Sequence, residues 1–277
     1  MTPRGLLGLL ALPAVLVFLL FFVLPVALVT AEAFSDGGAA FLRVLADPVF
    51  RAAAVGSLAV GTLAPLFSTL VGLAIALQLS RMGEGGRAVL TTLVALPLTF
   101  SGLIVAYGFI LVFGRAGFVT LLLAEAGADP AVVGGWIFTP SGLGFAYSYY
   151  LIPRVVLLLL PVVTNFDWQQ IATARSLGAS TPRAYLDILL PQILPALLTA
   201  FCFTAAVAIG AYGTALALVG TQVPLLSLLL YSKISDSGAD FPAAAALSLI
   251  LMALCCLVVA AAEAFRRDGA EARIRAP

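Results

Sequence analysis

Six stretches of this sequence are apolar for about twenty residues or more, the length at which one α-helix crosses ~30 Å of hydrocarbon. They are Leu6–Ala33, Ala53–Leu79, Ala88–Phe113, Gly142–Val163, Ile193–Val219 and Pro242–Glu263. Lipid offers no water to unpaired backbone groups, so segments of this kind must satisfy their own N–H and C=O groups as helices. The expected fold is therefore all-α: a polytopic membrane protein of six transmembrane helices, forming one domain over residues 1–277. Composition agrees. Of the 277 residues 62% are hydrophobic and only 10% charged, with a mean hydropathy of +1.15. An average soluble domain is about 25% charged, and a water-soluble fold of this size has too little interior to hide so much apolar surface.

Several function classes are disfavoured at once. A net charge of +1 carries no footprint for nucleic acid. The chain has no histidine, which removes the commonest general base and the commonest metal ligand. With few carboxylates inside the spans, an intramembrane enzyme has no acid/base pair to work with. Cys202, Cys255 and Cys256 sit in apolar runs without CxxC spacing and read as small lipid- or core-facing residues. No catalytic residue, metal site or bound cofactor is expected. A self-sufficient secondary transporter is the stronger alternative, but the inverted repeats and mid-membrane breaks common in such proteins are not evident in the sequence.

Arg4, the apolar run behind it and Ala31-Glu32-Ala33 loosely resemble a secretory signal. The run is longer than the 7–15 residues of a signal core, so a retained helix is expected. Lys and Arg placement sets the expected orientation. With a cytoplasmic N-terminus, the inner segments hold Arg4, Arg81, Arg87, Arg175, Arg183, Arg266, Arg267, Arg273 and Arg275, against Arg43, Arg51, Arg115 and Lys233 outside. The outer loops also carry Glu32, Asp36, Asp47, Glu125, Asp129, Asp236 and Asp240. Six spans then place both termini in the cytoplasm. Two small-xxx-small pairs, Ser57 with Gly61 and Ala206 with Gly210, are candidate seats for neighbouring helices.

The polar segment between the fourth and fifth spans, Asn165–Pro191, is too polar to cross a bilayer and too regular in its signals to be a slack connection. Gln169–Leu177 has good helix formers and an apolar face from Ile171, Ala174 and Leu177. Gly178 suits the left-handed residue that ends a helix. Thr181 is the expected cap of a second helix with Pro182 at its first position, and Pro191 marks the start of the fifth span. A helix–glycine–helix lying across membrane-helix ends can present a rigid surface to a soluble partner. Trp168 is read as an interfacial anchor.

These residues resemble the EAA loop of permease subunits of type I binding-protein-dependent ABC importers, E-A-A-x3-G-x9-I-x-L-P. Ala172-Thr173-Ala174 stand in the first three places and Arg175-Ser176-Leu177 fill the gap. Gly178 is the glycine, followed by Ala179-Ser180, and Ile188-Leu189-Leu190-Pro191 closes the pattern. The family's leading glutamate is replaced by Ala172 and its first alanine by Thr173, which removes one polar contact. The six-span layout and AIGAYGTALALVGTQVPLLSLLLY at Ala208–Tyr231 are similar to the spermidine/putrescine, iron(III) and aminoethylphosphonate permease group. The resemblance implies a type I permease fold in a bacterial inner membrane. It further implies a second permease subunit (a different chain or another copy), two ATPase subunits and an external binding protein. No GxxxxGK[ST] loop is present, so ATP and Mg are expected on the partners. Residues 172–180 would dock the ATPase and transmit its motion in alternating access. The implied cargo is a polyamine, aminoethylphosphonate or iron(III).

Arg154 lies inside the fourth span, roughly 16 Å of helix from its inner end. An arginine at mid-span costs about 2.5–3.5 kcal/mol on insertion scales, so it is expected to face a polar cavity or a partner. Tyr147 and Tyr150 share its side of the helix. Together with Tyr212, which sits between Gly210 and Gly213, they are the candidate translocation path. A cation there favours anionic cargo. The competing reading is that Arg154 snorkels or locks two helices.

Overall fold

The computed structural model describes residues 12–220, 222–235 and 239–275, with residues 265–275 as backbone. Leu6, the expected start of the first span, and the inner cation Arg4 lie outside the described residues, as do Asp236 and the side chains of Arg266, Arg267, Arg273 and Arg275. Among the described residues there is helix and no strand, and six helical segments are long and apolar enough to cross a membrane.

The first is α1 (Leu12–Ala33), which packs along the last helix, and the short α2 (Ala39–Ala46) follows it. The 33-residue α3 (Pro48–Ser80) opens with Pro48 at its first position and Asp47 as cap, the carboxylate accepting from Val49 N at 2.9 Å. Next come α4 (Glu84–Ala95), α5 (Gly102–Phe113), α6 (Phe118–Glu125) and α7 (Pro130–Gly135). The fourth crossing is α8 (Pro140–Thr164), capped by Thr139, whose hydroxyl accepts from Gly142 N. A short α9 (Gln169–Ser176) leads into α10 (Thr181–Gly210). The chain finishes with α11 (Gly213–Val219), α12 (Leu226–Ser235) and α13 (Phe241–Arg275).

The core is built where α3 crosses α8 and α10. The α3–α8 contact depends on the missing side chain at Gly72, where an added Cβ would fall 2.6 Å from Val155 Cγ1. About three turns earlier, Gly61 sits directly against Ile209 of α10, and Ser57 Oγ accepts from Leu226 N at 2.8 Å. The Ser57–Gly61 pair thus seats two neighbours. Of the other pair, Ala206 O accepts a contact from Cys255 Sγ of α13 at 3.7 Å, while Gly210 has open space around it. The three cysteines are free. Large apolar side chains point outward along these helices, Phe21, Leu42 and Leu111 each more than 70% exposed. That pattern fits lipid as the surrounding solvent.

Two spans differ from the sequence expectation, for the same reason. Ala88–Phe113 is not one helix: α4 runs into a single 3₁₀ turn at Leu96–Thr99, Phe100 and Ser101 are extended, and α5 starts afresh at Gly102. Pro97 has no N–H to continue the ladder, and Ser101 Oγ caps the new helix through Ile104 N. The crossing segment by length and apolarity is Gly102–Glu125, interrupted by a turn at Gly114–Gly117. The fifth crossing is Thr181–Gly210, not Ile193–Val219, because Ala211 is extended and α11 is a separate piece. Gly210 and Gly213 bracket that break, as glycines do where a helix gives way.

Candidate functional site

Asn165–Pro191 folds as the helix–glycine–helix that its sequence predicts, with changes of detail. Gly178 has φ +94°, and α9 ends in a Schellman motif: Ala179 N donates to Ala174 O and Gly178 N to Arg175 O, both at 3.0 Å. Ile171 is buried and Ala174 partly so, resting on Phe166, Ala184, Leu189 and Ile193. Leu177 leaves that face. As the residue before the left-handed glycine it swings out and is 83% exposed. Ser180, rather than Thr181, occupies the cap position of the next helix, which moves Pro182 to the second helical position. Pro191 lies within α10 instead of starting it. It cannot donate to Asp187 O, and the helix widens there into a π turn at Tyr185–Leu189.

The loop is held against the membrane helices by contacts that the sequence reading did not anticipate. Arg81, at the end of α3, places its guanidinium 5.6 Å from the Trp168 ring and 5.7 Å from the Tyr185 ring, and donates to Tyr185 Oη. Trp168 packs edge-on against Phe166 at 5.2 Å, so it belongs to this cluster. Gln192 Nε2 donates to Gln170 Oε1 at 2.7 Å, tying α9 to α10. Behind them Leu73 and Leu77 of α3 and Val162 of α8 complete the seat. Of the nine residues 172–180, all but Ala174 and Ala179 are exposed. The result is a projecting surface on a fixed base.

A second feature lies in the membrane-spanning part. A cavity of about 240 Å³ is lined by Tyr150 and Arg154 of α8, by Phe100 and Gly102 at the first helix break, and by Tyr212 and Thr214 at the second. Arg154 is partly buried, donates from Nη1 to Tyr150 O at 2.7 Å and stacks 5.3 Å from the Tyr150 ring. Among the described residues no carboxylate lies within ion-pair distance of it. The Tyr150 hydroxyl is buried and makes no hydrogen bond of good geometry; the Thr214 side chain beside it donates to Gly102 O at 2.9 Å and keeps a lone pair free. Three of the four expected path residues therefore meet at one cavity. Tyr147 stands apart: it is 1% exposed and donates to Ala211 O at 3.0 Å, bracing the second break. The sequence signals for this place were Pro97, Ser101, Gly210 and Gly213, which are helix breakers inside apolar runs.

Residues 68–268 match the protein family described as binding-protein-dependent transport system inner membrane component. The chain belongs to that family. As a member of it, the chain is similar to the sulfate permease 2, chloroplastic, of Chlamydomonas reinhardtii, 29% identical over 82% of this chain and 60% of that protein. The sulfate transport system permease protein CysW of Synechococcus elongatus is 27% identical over 70% of this chain and 66% of its own length. This family member thus spans less than two thirds of either of those relatives. The sulfate transport system permease protein CysT of Salmonella typhimurium is 25% identical, covering 87% of this chain and 85% of that one. Among solved structures, a bacterial alginate ABC transporter in complex with an alginate pentasaccharide-bound periplasmic protein contains a chain of the same fold. Its TM-score is 0.78 with 21% identity, over 95% of this chain and 94% of that one.

Proposed function

We propose that the chain is the permease subunit of an ATP-driven ABC importer in a bacterial inner membrane, coupled to its ATPase through residues 172–180. The observation that carries this reading is the exposed, glycine-terminated helix on its base of α3, α8 and α10. A segment that must receive force from a soluble subunit needs a rigid tip and a stiff connection to the spans, and this one has both. Family membership supports the rest of the assembly: a second permease, two ATPase subunits that hold ATP and Mg, and an external binding protein. The loop performs no chemistry. It moves helices so that the central path faces the binding protein and the cytoplasm in turn. With residues 172–180 cytoplasmic, the positive-inside count also puts both termini there.

The cargo reading is a small oxyanion. Sulfate permeases among the relatives support this over the polyamine, iron(III) or aminoethylphosphonate suggested by the sequence resemblance. The uncompensated Arg154 supports it independently, since a mid-membrane cation disfavours polyamines and iron(III). The test is purification of the chain with its native partners and reconstitution into vesicles. ATP-dependent uptake of radiolabelled sulfate that requires the binding protein is the expected result. Robust uptake by the chain alone, without an ATPase, would show a secondary transporter instead.

A further inference from the structure

We infer that the cavity between the two helix breaks is a transit binding site for a tetrahedral oxyanion, with Arg154 and the Tyr150 hydroxyl as its donors. The inference rests on the permease reading and adds a site within the membrane part of the chain, separate from whatever the binding protein recognises.

Four observations converge. First, Arg154 uses one N–H on Tyr150 O, and its remaining N–H groups make no hydrogen bond among the described residues. A guanidinium that stays charged at any accessible pH requires acceptors, and no carboxylate supplies them. Second, Tyr150 is 7% exposed, lines the cavity and makes no hydrogen bond of good geometry through its hydroxyl, with only the Thr214 side chain beside it. A buried polar group without a well-formed hydrogen bond is costly in a protein that never fills the site. Third, α5 begins at Gly102 on the cavity wall, so the positive end of a twelve-residue helix meets the same space. An added Cβ at Gly102 would fall 2.5 Å from Thr214 Oγ1, so glycine is what lets this helix start approach the second break. Fourth, a volume of about 240 Å³ suits a small inorganic anion and not a sugar chain.

The donors reach the cavity from α8 and from the start of α5. A tetrahedral oxyanion presents acceptors in every direction, whereas a carboxylate presents them in one plane. The chemistry therefore favours sulfate, phosphate or molybdate over an organic acid. Because the site lies where α5 and α11 both start anew, motion of either segment opens or closes it without unwinding a continuous helix. That suits a site that must bind weakly and release.

The experiment is equilibrium retention of radiolabelled sulfate by the purified permease–ATPase complex without binding protein, with phosphate and molybdate as competitors. Saturable retention is expected. Arg154→Met should weaken it about 10- to 100-fold and Tyr150→Phe about 3- to 10-fold. Arg154→Lys should fall between wild type and Arg154→Met, because it keeps the charge and loses the fork. Equal retention by wild type and Arg154→Met in intact complexes overturns the site. So does failure of the wild-type complex to retain any of the three anions. The ATPase content of each complex is read in parallel: if even wild type carries none, the permease reading fails, a different outcome from loss of anion retention alone.

Discussion

Tyr147 Oη donates to the Ala211 carbonyl at 3.0 Å, joining the middle of α8 to the break between α10 and α11. The carbonyl has no partner in its own helix, because Ala211 is extended and ends the ladder. Ser227 Oγ reaches the same oxygen at 3.5 Å, a weaker second donor. Tyr147→Phe keeps the ring and removes the stronger bond. It should destabilise the purified chain by about 1 kcal/mol, in line with hydrogen bonds inside membrane proteins. Thermal unfolding in detergent measures it, and an unchanged midpoint would mean that Ser227 alone satisfies the break.

The two small-xxx-small pairs should respond differently to a methyl group. Gly61→Ala drives a Cβ into Ile209 and should cost about 1–3 kcal/mol through overpacking. Gly210→Ala meets nothing within 4 Å and should be neutral or slightly stabilising. Unfolding midpoints of the two variants, measured side by side, should separate in that order.

Arg81 fastens the projecting loop to α3 through two aromatic faces and the Tyr185 hydroxyl. Arg81→Ala removes contacts worth about 0.5–1 kcal/mol each at an exposed site. Hydrogen exchange over residues 169–180 should accelerate several-fold while the spans stay protected. Under the proposed coupling role, solute uptake per ATP hydrolysed should drop in the reconstituted complex. Unaltered exchange would show that the apolar seat holds the loop without the cation.

At the tip, Gly178→Val places a β-branched residue at φ +94° and breaks the Schellman geometry. Transport-coupled ATPase activity should fall sharply with little change in the stability of the spans. Under the proposed coupling role, Leu177→Asp should weaken ATPase retention by about tenfold or more, because the exposed leucine would be desolvated on docking. Leu177→Met should retain it. Normal coupling in Gly178→Val would remove the lever from this loop.

Asp47 links pH to the other end of the molecule. The Val49 N–H holds its carboxyl below the usual carboxylate range; burial opposes this, and Lys233 at 3.2 Å adds to the lowering. A depressed value means that the stabilisation is fully present above about pH 4, the unfolded value, and is lost as pH falls through the lower folded value. Lys233→Met should lower stability modestly at pH 7, and the difference from wild type should shrink as acidification protonates Asp47. A constant difference down to pH 3 would assign the effect to packing of the lysine stem.

How much could be read in advance depended on how local the cause was. Six spans followed from apolar length, because a bilayer leaves an apolar twenty-residue segment no alternative to helix. The left-handed Gly178 and the helices on either side of it followed from local hydrogen bonding and backbone sterics. Leu177 shows the limit of periodicity: it continues the apolar face of α9 in sequence, yet the glycine after it turns the chain and leaves it 83% exposed.

The sequence by itself determined a helical membrane protein with a mid-span arginine and a projecting glycine-ended loop, since each is set by residues within a few turns of one another. Only the tertiary structure decided where the spans break, that Arg154, Tyr150 and Tyr212 share a cavity while Tyr147 braces its wall, and that Arg81 grips the loop. These include contacts between residues more than a hundred positions apart, Gly102 with Thr214 (112) and Arg81 with Tyr185 (104). Apolar length is blind to them, because a broken helix and a continuous one can bury the same side chains.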